Sequence, residues 1–165
     1  MNITPFLSKR FFFRFLTNLC LFLVCINCSN NNNYDRNCNF LLNVGIQVSL
    51  NLNLAQYNQL TFPNNPVYVP DVGNGGLFVN NTGVGYYVAF DAADPNIPFG
   101  ECSYLKIDGA TAVTPTEARD GSDLNCNQIN RYSLFTGQPL QNPELRCSLK
   151  PYFIERVGNE LFISN

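Results

Sequence analysis

Apolar and polar residues alternate with a period of two between Ile46 and Leu54. Ile46, Val48, Leu50, Leu52 and Leu54 stand between Gln47, Ser49, Asn51 and Asn53. Successive side chains of a strand point to opposite faces, so this run predicts a strand with one buried and one solvated face. Pro63, Pro66 and Pro70 then bracket a short Val67–Val69 strand and argue against helix there. Leu77–Val79 reads as a strand ending at Asn80–Gly83, whose Asn and Gly suit the positive φ of a tight turn, with Tyr86–Phe90 returning as its partner. Leu105–Ile107 followed by Asp108-Gly109, and Arg131–Phe135 followed by Thr136-Gly137, are two more strand-and-turn signals. Tyr152–Val157, Gly158-Asn159 and Glu160–Ile163 read as a closing hairpin. No ten-residue stretch after residue 27 has helical periodicity. The prediction is an all-β domain over 44–165, built of short antiparallel strands as a sandwich or barrel.

The N-terminus has a different pattern. Lys9, Arg10 and Arg14 precede a largely apolar run from Phe15 to Ile26, which gives way to SNNNNYDRN. A basic start followed by about a dozen apolar residues reads as an export signal, too short to span a bilayer as a helix. A cysteine followed by Ser and Asn resembles a bacterial lipoprotein signal, which implies lipidation at Cys28, with Cys25 as runner-up. Residues 1–27 are then a lipoprotein-type signal peptide and 28–43 a flexible tether, of which Ser29–Asn37 is low in complexity. This expectation places the protein outside the cytoplasm, lipid-anchored to the bacterial membrane on its periplasmic or outer side. Cys25 and Cys28 have the spacing of a redox pair, but they lie in the targeting segment without a βαβ context.

Composition adds a limit. Only 13% of the 165 residues are charged, while 45% are hydrophobic, which is globular. The net charge of −2 is uneven along the chain. Without Lys9, Arg10 and Arg14 the remainder has 7 basic against 12 acidic residues, which argues against nucleic acid as a partner.

The pieces YYVAFDAADPN, ECSYLKIDG, RYSLFTGQPL and LKPYFIERVGNELFIS, in that order, resemble a Rieske-type iron–sulfur domain, and more narrowly the Rieske-like lipoproteins of Bacteroidota. The resemblance runs from about Ile46 to the C-terminus and is most specific in Tyr132–Gly137 and Leu149–Ile163. It implies an all-β base carrying a small two-loop subdomain that holds a 2Fe-2S cluster. The first loop would supply Cys-Pro-His or Cys-x-His; this chain has Asp94 and Asn96 at those places. The second would supply Cys-x-x-His, and here Asn125 and Gln128 stand instead. Such a cluster needs two thiolates on one iron and two imidazoles on the other. The chain contains no histidine, so the resemblance implies a scaffold without its cluster and no cofactor.

Cys102 and Cys126 match the family's other cysteine pair, which forms a disulfide between the two loops. Cys38 and Cys147 remain as candidates for a second bridge, consistent with an oxidising compartment. Four cysteines permit three pairings, and the sequence does not choose among them. Zinc held by all four thiolates is the competing arrangement, disfavoured because the mature chain has no C-x2-C or C-x4-C pair.

Other chemistries find less support. Asp91 and Asp94 are close enough for paired carboxylates, but Asp before Pro is ordinary loop chemistry. Nucleophilic catalysis lacks a histidine base. Tyr86, Tyr87, Phe90 and Phe99 suit a sugar platform less well than a core. The glycine-rich Val72–Gly85 segment has no following helix to cradle phosphate. The expectation is a non-catalytic binding or structural module of the cell envelope, meeting a protein partner through loops 92–101 and 123–130. The alternative is an electron-transfer component of Rieske ferredoxin type, with a non-standard metal site or a docked redox partner.

Overall fold

Strand β1 (Gln47–Asn51) falls within the alternating run, with Leu50 and Leu52 buried and Gln47, Ser49 and Asn53 exposed. The computed structural model describes residues 38, 40–83, 85–142 and 144–165. The expected signal peptide (1–27), the candidate lipidation sites Cys25 and Cys28, and the expected Ser29–Asn37 tether lie outside the described residues. Among those described, no helix is long and apolar enough to cross a membrane.

The remaining strands are β2 (Val67–Val69), β3 (Leu77–Gly83), β4 (Tyr86–Asp91), β5 (Lys106–Asp108), β6 (Thr111–Val113), β7 (Arg131–Ser133), β8 (Pro151–Val157) and β9 (Glu160–Ser164). They form a six-stranded sheet of order β1-β9-β8-β4-β3-β2 and a three-stranded sheet of order β5-β6-β7. Every pairing is antiparallel. The large sheet is curled into a half-barrel. The fold is therefore all-β, as the sequence predicts.

Two apolar cores flank the central strands. Leu77 and Val79 of β3 face one cluster, with Leu50, Val67, Val69, Ala89, Tyr152, Leu161 and Ile163. Phe78, one residue out of phase, faces the other with Phe90, Leu105, Ala112, Tyr132, Leu134 and Leu149. The small sheet thus packs on the outer face of β3 and β4, and β3 is covered on both sides. That burial corrects the expected turn at Asn80–Gly83. Strand β3 continues to Gly83, and the chain reverses between Gly83 and Tyr86. Asn80 and Asn81 are buried strand residues whose side-chain amides donate to Leu134 O and Leu60 O. Buried amides need such partners, so tertiary carbonyls hold these asparagines in the strand.

Described residues before Val44 also pack against the domain. Cys38 and Leu41 are buried. Leu42 N donates to Asn74 Oδ1, and Leu42 O accepts from Asn74 Nδ2 and Lys150 Nζ. The closing hairpin matches expectation, with Val157 opposite Glu160 across a Gly158-Asn159 turn. Gly137 is required where β7 gives way to a turn. Its φ is +73°, and a Cβ there would lie 2.7 Å from the Phe90 ring.

Candidate functional site

Two loops leave the sheets side by side. The first runs from Ala92 to Ser103 after β4, and the second from Thr114 to Asn130 between β6 and β7. Asp91, the last residue of β4, fixes the root of the first loop. Its carboxylate accepts five hydrogen bonds, from Asn74 N and Nδ2, Gly75 N, Ala93 N and Tyr152 Oη. Gly75 has no Cβ to keep the backbones apart: one would lie 2.7 Å from Ala93 N.

Asp94 ties the two loops together. It is fully buried, with Oδ1 accepting from Asn96 N at 2.8 Å and Tyr132 Oη at 2.7 Å. Its Oδ2 accepts from Asn130 Nδ2 at 2.7 Å. Burial raises the Asp94 carboxyl above the ordinary aspartate range, although the bonds from Asn130, Tyr132 and Asn96 pull it the other way. Burial, and then the neighbouring Asp94, pushes the Tyr132 phenol far above its usual value.

Asn96 extends the network to the C-terminal segment. Its Nδ2 donates to Cys147 O at 2.7 Å, and its Oδ1 accepts from Cys147 N at 3.1 Å. The side-chain amide thereby pairs with one residue's backbone as a neighbouring strand would. Its Nδ2 also donates to Tyr132 Oη at 2.8 Å. Cys147 in turn is disulfide-bonded to Cys38. The second disulfide, Cys102–Cys126, joins the two loops across 24 residues, with both cysteines half-buried. Both bridges have ordinary Cα separations, 5.8 and 5.7 Å. Four thiolates are therefore not available for zinc.

Of the four positions that the resemblance assigns to ligands, Asp94 and Asn96 come together and point inward. Gln128 is exposed and joins only indirectly, donating to Asn130 Oδ1. Asn125 is exposed on the second loop, apart from the network. Asp91 and Asp94 are both buried and each holds a different set of backbone and side-chain donors, so they are loop anchors and not an acid–base pair. The first loop is also less exposed than expected. Ala92–Pro95 is buried, and only Pro98–Glu101 is open to solvent. In the second loop, 116–117, 119–123, 125 and 127–129 are exposed and Asn130 is buried.

Sequence reasoning missed Asn130 and the role of the Tyr132 hydroxyl. Their only signal was a polar residue at the start of a short strand, which is indistinguishable from an ordinary loop end.

The donor set does not fit a 2Fe-2S cluster. Imidazoles are absent from the chain, the four cysteines 38, 102, 126 and 147 are cross-linked, and Asp94 and Asn96 are engaged with each other's neighbours. Among the described residues no three His, Cys, Asp or Glu side chains gather as a metal site. The arrangement can brace two loops against each other and against the sheet. No protein family, curated protein or solved structure matches this chain.

Proposed function

We propose that the chain is an exported, membrane-tethered protein of the cell envelope whose Rieske-like domain works as a non-catalytic binding or structural module. One observation supports this above the others. The side chains at the first loop's ligand positions, Asp94 and Asn96, hold the frame together through their own hydrogen bonds. A ligand position used in this way is not free to bind iron. The exposed positions 98–101, 123, 125 and 127–129 are the surface offered to a partner, and the Cys102–Cys126 cross-link beside them presents the two loops as one unit.

The test is chemical analysis of the full chain purified from aerobic and from anaerobic cells. The expected result is less than stoichiometric iron and sulfide, no Rieske signal in electron paramagnetic resonance, and an intact mass showing lipid on Cys28. Stoichiometric iron and sulfide with a Rieske spectrum would overturn the proposal. An unlipidated, uncleaved N-terminus would overturn its tethering part.

A further inference from the structure

A sheet edge is a row of unpaired backbone donors and acceptors, and proteins guard such edges against pairing with another chain. Among the described residues, three of the four sheet edges are guarded. Strand β2 lies between Pro66 and Pro70. Strand β5 carries Lys106 and Asp108. Strand β7 is covered by the segment after it, through Ser133 N to Gln138 O, Leu140 N to Arg131 O and the Tyr132–Pro139 bridge.

Strand β1 has none of these devices. Among the described residues it pairs only with β9, in an uninterrupted register without a bulge. It contains no proline and no charge, and no charged residue occurs anywhere from Cys38 to Pro70. Leu52 N donates to Asn159 O, continuing the ladder with the β9 side. By the two-residue period, Val48 and Leu50 also turn their backbone groups toward β9. The backbone groups of Gln47 and Ser49, and the Asn51 N–H, therefore face outward.

We propose that this edge pairs with the same edge of a second copy, β1 against β1 in antiparallel register about a two-fold axis at Ser49. The strand is self-complementary in that register. Ser49 meets Ser49, Gln47 meets Asn51, and Val48 meets Leu50. The outer face then joins neutral polar side chains, the inner face brings half-buried Val48 beside a Leu50 already buried in its own core, and no like charges oppose each other. An isologous contact of this kind closes on itself and does not propagate into a fibre. A second copy has the matching polar and apolar alternation by symmetry.

The test uses the full chain in detergent. Ser49→Cys puts two thiols across the axis, while Glu155→Cys puts a thiol on the exposed face of β8, away from the edge. Under mild oxidation Ser49→Cys should form a disulfide dimer at least tenfold faster than Glu155→Cys. Sedimentation of the wild type should show dimer increasing with concentration. Ser49→Lys puts two like charges in direct opposition, and its dissociation constant should be at least tenfold weaker. Within a monomer that lysine would lie beside Glu160, the present partner of Ser49 Oγ, so the fold should be retained and thermal unfolding at dilute concentration unchanged. Three results would each overturn the proposal: a wild type that stays monomeric at every concentration, equal cross-linking at positions 49 and 155, or a Ser49→Lys variant that dimerises as the wild type does.

Discussion

Replacing Asn96 by alanine tests whether this residue braces the frame. The substitution removes three hydrogen bonds, two to the backbone of Cys147 and one to Tyr132 Oη. Tyr132 still donates to Asp94, but the N–H and C=O of Cys147, a buried residue, lose their partner. A net contribution of ~1 kcal/mol per bond gives a loss of about 3 kcal/mol. That is a large fraction of the 5–15 kcal/mol typical of a whole domain. For a domain of this size the melting temperature should fall by about 10–15 °C. Asn96→His, the residue type that the resemblance would expect there, should be similarly destabilised, because the two ring nitrogens diverge and cannot match both Cys147 groups. The assay is thermal unfolding followed by circular dichroism under non-reducing conditions, so that the Cys38–Cys147 bridge is intact in every variant. If both variants melted within about 2 °C of the wild type, Asn96 would not be a structural brace and the reasoning would fail.

Three further outcomes follow from the same frame. The folded, unreduced protein should show no titratable thiol from residues 38, 102, 126 or 147, and in the chain-entropy view replacing Cys102 and Cys126 by serine should cost ~3.5 kcal/mol, against ~5 kcal/mol for Cys38 and Cys147 with their longer loop; equal or negligible losses by urea unfolding would contradict that ranking. Asp94 has a folded pKa raised above its unfolded one, so its contribution to stability is complete below the unfolded value of about 3.9 and is lost as pH rises through the folded value. Urea unfolding should therefore show the stability of wild type relative to Asp94→Asn decreasing as pH rises across that window, and an increase would refute the assignment.

Much of the sheet was legible because strand patterning is local. The alternation around Leu50, the prolines flanking Val67–Val69 and the Gly158-Asn159 turn each mark their element within a few residues. Asn80 and Asn81 were misread because their backbone conformation is settled by distant carbonyls at Leu134 and Leu60. Asp91 and Asp94 were visible as a pair, but their roles depend on donors 16–61 residues away. Asn130 and the backbone of Cys147 could not be found at all, since neither residue type nor spacing marks a buried amide or a main-chain partner.

The sequence by itself determined the all-β class and the absence of imidazole, because periodicity and composition need no three-dimensional context. It also supplied the four domain cysteines without deciding their pairing. Only the tertiary structure decided that Cys38 meets Cys147 and Cys102 meets Cys126, because connectivity depends on which loops are brought within bonding distance. The same packing turned Asp94 and Asn96 from candidate ligand positions into braces. Burial gives a carboxylate or an amide a strong need for partners, and the fold supplies them from β7 and from the Cys147 segment.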